Sequence, residues 1–175
     1  MHIGRQGKLC SEDPPKNDLV SEKEFVAKII AAKAAKQNKD FMIIARVEAL
    51  ISGSGMNEAL KRATAYEKAG ADAILIHSKK KTPEEVFEFA ESWKGNSPIV
   101  VIPTTYDSVS LDELISHKIK IVIHANQTLR AAHASMSRIL KQMINANSLS
   151  EVKEEISSME DIFQLQEMYD IKAKE

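Results

Sequence analysis

Four runs of continuous apolar character alternate along the chain with stretches of helical period. They cover residues 41–47, 73–76, 99–102 and 119–123, and each is rich in branched side chains. Short runs without polar alternation fit strands covered on both faces, as in a parallel sheet. Before the first run, Ser21-x-x-Glu24 has capping-box spacing, and Phe25, Ile29 and Ile30 fall on one helical face, which predicts a helix over residues 22 to about 37. Thr82-Pro83-Glu84-Glu85 precedes Val86, Phe87 and Phe89, with the proline expected at the first helical position. Ser110-x-x-Glu113 and Ser148-x-x-Glu151 predict two further helix starts. Gly70 and Gly95 stand where left-handed helix caps are expected. Ser52-Gly53-Ser54-Gly55 reads as a flexible strand-to-helix connection, since it lacks the lysine and spacing of a phosphate-binding P-loop.

The alternation of helix and strand implies an α/β protein with right-handed crossovers between parallel strands. After the last strand, residues 129–144 predict a long helix. A capped pair over about 149–156 and 159–169 follows, with Ile162, Phe163, Leu165 and Met168 as its apolar stripe. The organisation expected is an irregular segment over 1–20, where Gly4, Gly7, Pro14 and Pro15 interrupt any period, a strand–helix layer over 21–145, and a C-terminal helical arm over 146–175. That arm has no strand to follow it and would pack under the layer or against a second subunit.

Composition narrows the function classes. The chain has 175 residues, enough for one domain with a sizeable core, and a formal net charge of -1. With 28% charged residues and so little net charge, nothing draws it toward nucleic acid or an anionic membrane. No apolar run approaches the ~20 residues that span a bilayer, and residues 1–10 lack the apolar block of a secretory signal, so the cytoplasm is the expected compartment. Cys10 is the sole cysteine, which excludes an internal disulfide and a cysteine-rich metal site.

The chemistry-bearing residues gather at the ends of the apolar runs, where parallel α/β proteins place their ligands. Arg46 lies within Ala45-Arg46-Val47-Glu48-Ala49, and its planar fork suits a carboxylate or phosphoryl group. The competing reading is an ion pair with Glu48 or with a neighbouring strand. His77 directly follows Ile74-Leu75-Ile76 and could donate to an anionic substrate, or else be a satisfied structural residue. Lys79-Lys80-Lys81 reads as a solvated turn, His124 with Asn126 as a weaker candidate pair, and Thr104 with Thr105 as hydroxyls for a ligand or the start of a helix.

Taken together, Ala45-Arg46-Val47-Glu48-Ala49-Leu50-Ile51-x-Gly53-x-Gly55 and Gly70-Ala71-Asp72-Ala73-Ile74-Leu75-Ile76-His77-Ser78-Lys79 resemble the phosphoenolpyruvate mutase family. Val100-Val101-Ile102-Pro103-Thr104-x-Tyr106, Ala125-Asn126 and Glu160-x-Ile162-Phe163-x-Leu165-Gln166 extend the likeness, which covers roughly residues 21–169. The resemblance implies a (β/α)8 TIM barrel of the isocitrate lyase superfamily and a Mg²⁺-dependent isomerase that interconverts phosphoenolpyruvate and phosphonopyruvate, the step that forms the C–P bond in phosphonate biosynthesis. It implies that Arg46 binds the anionic substrate and that His77 contacts the migrating phosphoryl group. Both would serve as substrate-binding and catalytic residues.

A complete barrel takes about 250 residues, whereas the units here resemble the second half alone. The family's Mg²⁺-binding aspartates have no counterpart in this chain. Lys8-Leu9-Cys10-Ser11-Glu12-Asp13 and Pro15-Lys16-Asn17 resemble the family's Glu-Asp strand end and gating loop if a marked deletion is allowed. In that register Lys16 and Asn17 touch substrate and Glu12 acts at most indirectly on the metal. In the alternative register Gly4-Arg5-Gln6 follows the loop, and residues 12–17 belong to an insertion. Asn126-Gln127 also departs from the family's Asn-His. The expected protein is a mutase-like half-barrel, inactive alone, that self-associates or joins a complementary half. The rivals are a phosphonopyruvate hydrolase, a non-catalytic half-barrel assembly module, and a small open α/β domain.

Overall fold

A computed structural model describes residues 2–3, 19–172 and 174. Among these, five strands form one parallel sheet in the order β1-β2-β3-β4-β5: His2–Ile3, Ile44–Val47, Ala73–Ile76, Ile99–Val101 and Ile119–Val122. Every neighbour in the sheet is also the next strand in sequence. A sheet that winds in one direction, with no reversal of strand order, is built like a segment of a barrel rather than like a doubly wound sheet. The α/β expectation with a parallel sheet therefore holds, in the singly wound strand order of a half-barrel.

Helices α1 (Glu22–Ala35), α2 (Ala49–Ser52), α3 (Gly55–Lys68), α4 (Glu84–Ser92) and α5 (Leu111–Ser116) fill the connections. Ser21 caps α1 by accepting from the Glu24 amide at 3.1 Å, and Ser110 with Glu113 forms a full capping box on α5. The main core lies between the helices and one face of the sheet. Ala45, Val47, Ile74, Ile76, Ile99 and Val101 meet Phe25, Ile29, Tyr66, Val86, Phe89 and Leu114 there. The alternate strand positions form a second cluster of strand residues, in which Ala73, Leu75 and Val100 are buried while Ile44, Ile102, Ile121 and Ile123 are only partly so. Arg46 shares its face with this second cluster, because strand side chains alternate and Arg46 is in register with Leu75.

Residues 126–175 form a compact unit separate from residues 1–125. It comprises α6 (Gln127–Asn145), a 3₁₀ helix (Leu149–Glu155), α7 (Met159–Leu165) and α8 (Met168–Lys172). Capping boxes at Ser148 and Ser158 start the second and third of these. No helix among the described residues is long and apolar enough to cross a membrane.

Several sequence expectations shift. His2–Ile3 forms a strand beside β2, within a segment expected to be irregular; a two-residue run is too short to show a period. The first apolar run pairs only from Ile44, since Phe41 and Met42 precede the strand and are exposed. Pro83 is the N-cap residue of α4, one place earlier than expected. The 52–55 connection is ordered by a short helix, and the left-handed Gly53 closes it. Gly70 is left-handed as expected, but Gly95 is not: it is a close-approach glycine, where an added Cβ would lie 2.1 Å from the Trp93 ring. The helix expected over 159–169 breaks at Glu167, whose φ is 53°. Cys10, Glu12, Lys16 and Asn17 lie outside the described residues.

One polar cluster ties the first helix to the sheet. Asp72, just before β3, accepts from the Lys33 ammonium at 2.6 Å and from the Ile43 amide at 2.8 Å, with the Lys36 ammonium at 3.7 Å. Burial alone would raise the Asp72 carboxyl, but the Lys33 hydrogen bond, the Ile43 amide and the two lysine charges outweigh it and hold the group below the ordinary carboxylate range. A depressed carboxyl stabilises the fold above its unfolded value and loses that contribution as pH falls through the folded one. Asp72→Asn is therefore expected to cost about 1–2 kcal/mol at neutral pH. The gap from wild type should close in acid, as urea denaturation at pH 7 and pH 3 would show.

Candidate active site

Strands β2 and β3 end side by side, with Val47 in register with Ile76. Arg46 is the last residue but one of β2 on the face away from the helices, and His77 follows β3 directly. Their side chains meet: the Arg46 Nη2 lies 3.2 Å from His77 Nδ1. The Arg46 Nε donates to the Glu48 carboxylate, whose side chain is only 11% exposed against 23% for Arg46. The ion-pair reading of Arg46 holds as geometry. It has an ion-pair partner on its own strand end, and it still extends toward His77.

This arrangement fixes the chemistry that the pair can offer. A guanidinium can only donate, so Nδ1 of His77 is the acceptor and the ring proton resides on Nε2. Nε2 of the imidazole is then an N–H donor. Arg46 keeps further N–H groups beyond those used on Glu48 and His77. Two donors, one permanently charged and held by a carboxylate behind it, make a mouth suited to an anion with several oxygens.

The other candidates separate from this pair. Lys80 is turned to Glu85 at 3.2 Å, while Lys79 and Lys81 are exposed. His124 is exposed, and Asn126 falls in the other compact unit with its amide nitrogen on the Gln127 side chain. Thr104 is half-buried and Thr105 exposed. Tyr106, from the same motif, is 1% exposed, and its hydroxyl has no partner among the described residues; burial pushes its pKa up to about 12. It is a neutral group at physiological pH.

Two residues beside the site escaped sequence reasoning. Ser78 is fully buried, and its hydroxyl donates to Glu85 at 2.6 Å. The hint was present in Ile76-His77-Ser78, where alternation sends the residue after His77 to the opposite face, but nothing in the sequence names its partner.

No group of three or more His, Cys, Asp or Glu side chains able to hold a metal occurs among the described residues. At the strand-end mouth the oxygen donor is Glu48, already engaged by Arg46, whereas Mg²⁺ wants several free oxygen ligands. These residues do not fit that ion as first ligands.

A singly wound parallel layer with an arginine–histidine pair at its carboxyl strand ends defines the class: part of a barrel-like α/β fold with polar side chains gathered at its strand ends. Comparison with known proteins makes the assignment specific. The family profile of phosphoenolpyruvate phosphomutase matches residues 7–144. The curated phosphoenolpyruvate phosphomutase of Tetrahymena pyriformis is 41% identical over 169 residues, covering 90% of this chain and 56% of that protein. The crystal structure of a phosphoenolpyruvate phosphomutase from Streptomyces platensis subsp. rosaceus superposes with a TM-score of 0.88 at 38% identity, over 99% of this chain and 60% of that one. A phosphonopyruvate hydrolase solved with oxalate and Mg²⁺ superposes with a TM-score of 0.85 at 40% identity, over 93% and 58%. The chain belongs to the phosphoenolpyruvate phosphomutase family and spans somewhat over half the length of these relatives.

Proposed function

We propose that this chain supplies the substrate-anion half of a phosphomutase site that interconverts phosphoenolpyruvate and phosphonopyruvate. The remaining barrel half, on the same or a separate polypeptide, would bring the oxygen ligands for Mg²⁺. The observation that carries this reading is the Glu48–Arg46–His77 line at adjacent strand ends. Rearranging phosphoenolpyruvate to phosphonopyruvate breaks the P–O bond to the enol oxygen and forms a P–C bond at the methylene carbon, with no net proton gained or lost. Such a reaction needs held geometry and neutralised charge more than a base. Arg46 would neutralise and orient, and the His77 Nε2–H would donate to a phosphoryl oxygen. The metal, when bound, would supply further charge neutralisation. The partly exposed face bearing Ile44, Ile102, Ile121 and Ile123, and the terminal strand β5, are the surfaces a complementary half would cover.

The likeness to phosphonopyruvate hydrolase supports a second reading. Hydrolysis cleaves the same C–P bond but adds water and places a proton on the released carbon, so its products are pyruvate and phosphate. The two readings separate in one assay: phosphonopyruvate with Mg²⁺ followed by ³¹P NMR, for the chain alone and after addition of a family first-half polypeptide. The expected result is no turnover by the chain alone and formation of phosphoenolpyruvate once the first half is added. Release of inorganic phosphate would favour the hydrolase. Turnover by the chain alone would overturn the need for a second half, and a stable complex without turnover would mark a non-catalytic assembly module.

A further inference from the structure

The loop that follows His77 is held from behind by one carboxylate. Glu85, in the first turn of α4, uses both oxygens: Oε2 accepts from the Ser78 hydroxyl at 2.6 Å, and Oε1 pairs with the Lys80 ammonium at 3.2 Å. The Ser78 oxygen accepts in turn from the Lys80 amide at 3.1 Å, which closes the turn. Ser78 is fully buried on the helix side, while its neighbour His77 reaches Arg46 on the other side. Successive side chains of extended backbone point to opposite faces, so pinning one fixes the direction of the next. A carboxylate in the first turn of a helix is also favourably placed in the field of the helix dipole.

We propose that Glu85, acting through Ser78, is a positioning residue that holds the His77 ring with Nδ1 against Arg46. The placement stands on the geometry above; its consequence for turnover rests on the function proposed in the preceding section. Neither residue touches the mouth itself. Their effect is on where the donor points, and near-ångström errors in such placement are costly to a transfer reaction.

The test uses the full chain, labelled with ¹⁵N and ¹³C, as wild type and as Ser78→Ala, Glu85→Ala and Glu85→Gln. The readout is the NMR cross-peak between the Arg46 guanidinium and the His77 ring, with the ring ¹⁵N shifts and a thermal melt beside it. Wild type and Glu85→Gln, which keeps an acceptor for Ser78, are expected to show the cross-peak and a fixed Nε2–H ring. Ser78→Ala and Glu85→Ala are expected to lose both while keeping a cooperative melt. In the complemented enzyme, the same two alanine variants should lower kcat about tenfold or more with little change in KM. The proposal is overturned if both alanine variants keep the cross-peak, if Glu85→Gln behaves like Glu85→Ala, or if kcat is unmoved once the ring is released. The spectra involve no substrate, so failure of the mutase reading leaves their outcome intact, and failure of the clamp leaves the mutase assay intact.

Discussion

In the complemented enzyme proposed above, Arg46→Ala is expected to lower kcat/KM for phosphonopyruvate by about 10²- to 10⁴-fold, equivalent to about 3–5 kcal/mol, the scale on which removing one partner of a desolvated charge pair acts. Two losses combine. The substrate loses a charged fork, and His77 loses the donor that fixes its tautomer. Arg46→Lys should recover little, because an ammonium cannot hold Glu48, His77 and a substrate oxygen from one plane. His77→Ala should depress kcat more than it raises KM if the imidazole acts mainly while the phosphoryl group moves. Stability is the confounder here, since Arg46→Ala strands Glu48, a carboxylate only 11% exposed. The double variant Arg46→Ala with Glu48→Gln removes that stranded charge, and it should restore the melting temperature without restoring turnover. Steady-state kinetics with parallel melts would sink the assignment if wild-type kinetics survived in all variants, or if activity returned with stability.

The parts of this fold that the sequence shows are those in which local pattern and tertiary demand agree. The run at 73–76 reads as a strand and is one, because all four side chains are buried and no polar position interrupts them. Ser21, Ser110 and Ser148 announce helix starts because a cap is a local event, complete between the N-cap and the third helical residue. The misses arise where a neighbour distant in sequence decides. Met42 looks like strand but stands before the pairing begins. Gly95 resembles a helix cap, yet its reason is Trp93 and Glu67 against its Cα. His2–Ile3 becomes a strand only because Ile44 and Ala45 offer an edge.

The site divides in the same way. Arg46 and His77 are legible as a candidate pair because polar side chains at the ends of parallel strands stand out from the apolar runs beside them. Which nitrogen of His77 accepts, and from which donor, requires the register between β2 and β3, which no local pattern encodes. The Ser78–Glu85 bond spans a turn whose course depends on where α4 docks, so only the folded chain reveals it.

The second large effect separates the two faces of the sheet. Phe89 on α4 is fully buried and stacks on Trp93 with ring centroids 6.0 Å apart. Phe89→Ala removes a large apolar surface and leaves a cavity amid Val86, Ile76 and their neighbours, at an expected cost of about 3–5 kcal/mol. That is a large share of the 5–15 kcal/mol typical of a domain's stability. Ile121→Ala, on the opposite face, should cost about 1 kcal/mol or less in the chain alone, because a half-exposed side chain gives up less surface and leaves no closed cavity. Addition of a first barrel half should change this ranking. Once covered, Ile121 becomes a core residue, and its alanine variant should lose several times more stability than it did in the free chain, while the Phe89→Ala penalty stays nearly constant. Urea denaturation of both variants, free and complemented, measures the difference directly. An Ile121→Ala cost that is already large in the free chain would mean that this face is covered before any complement arrives, and the surface assigned to the missing half would have to be sought elsewhere.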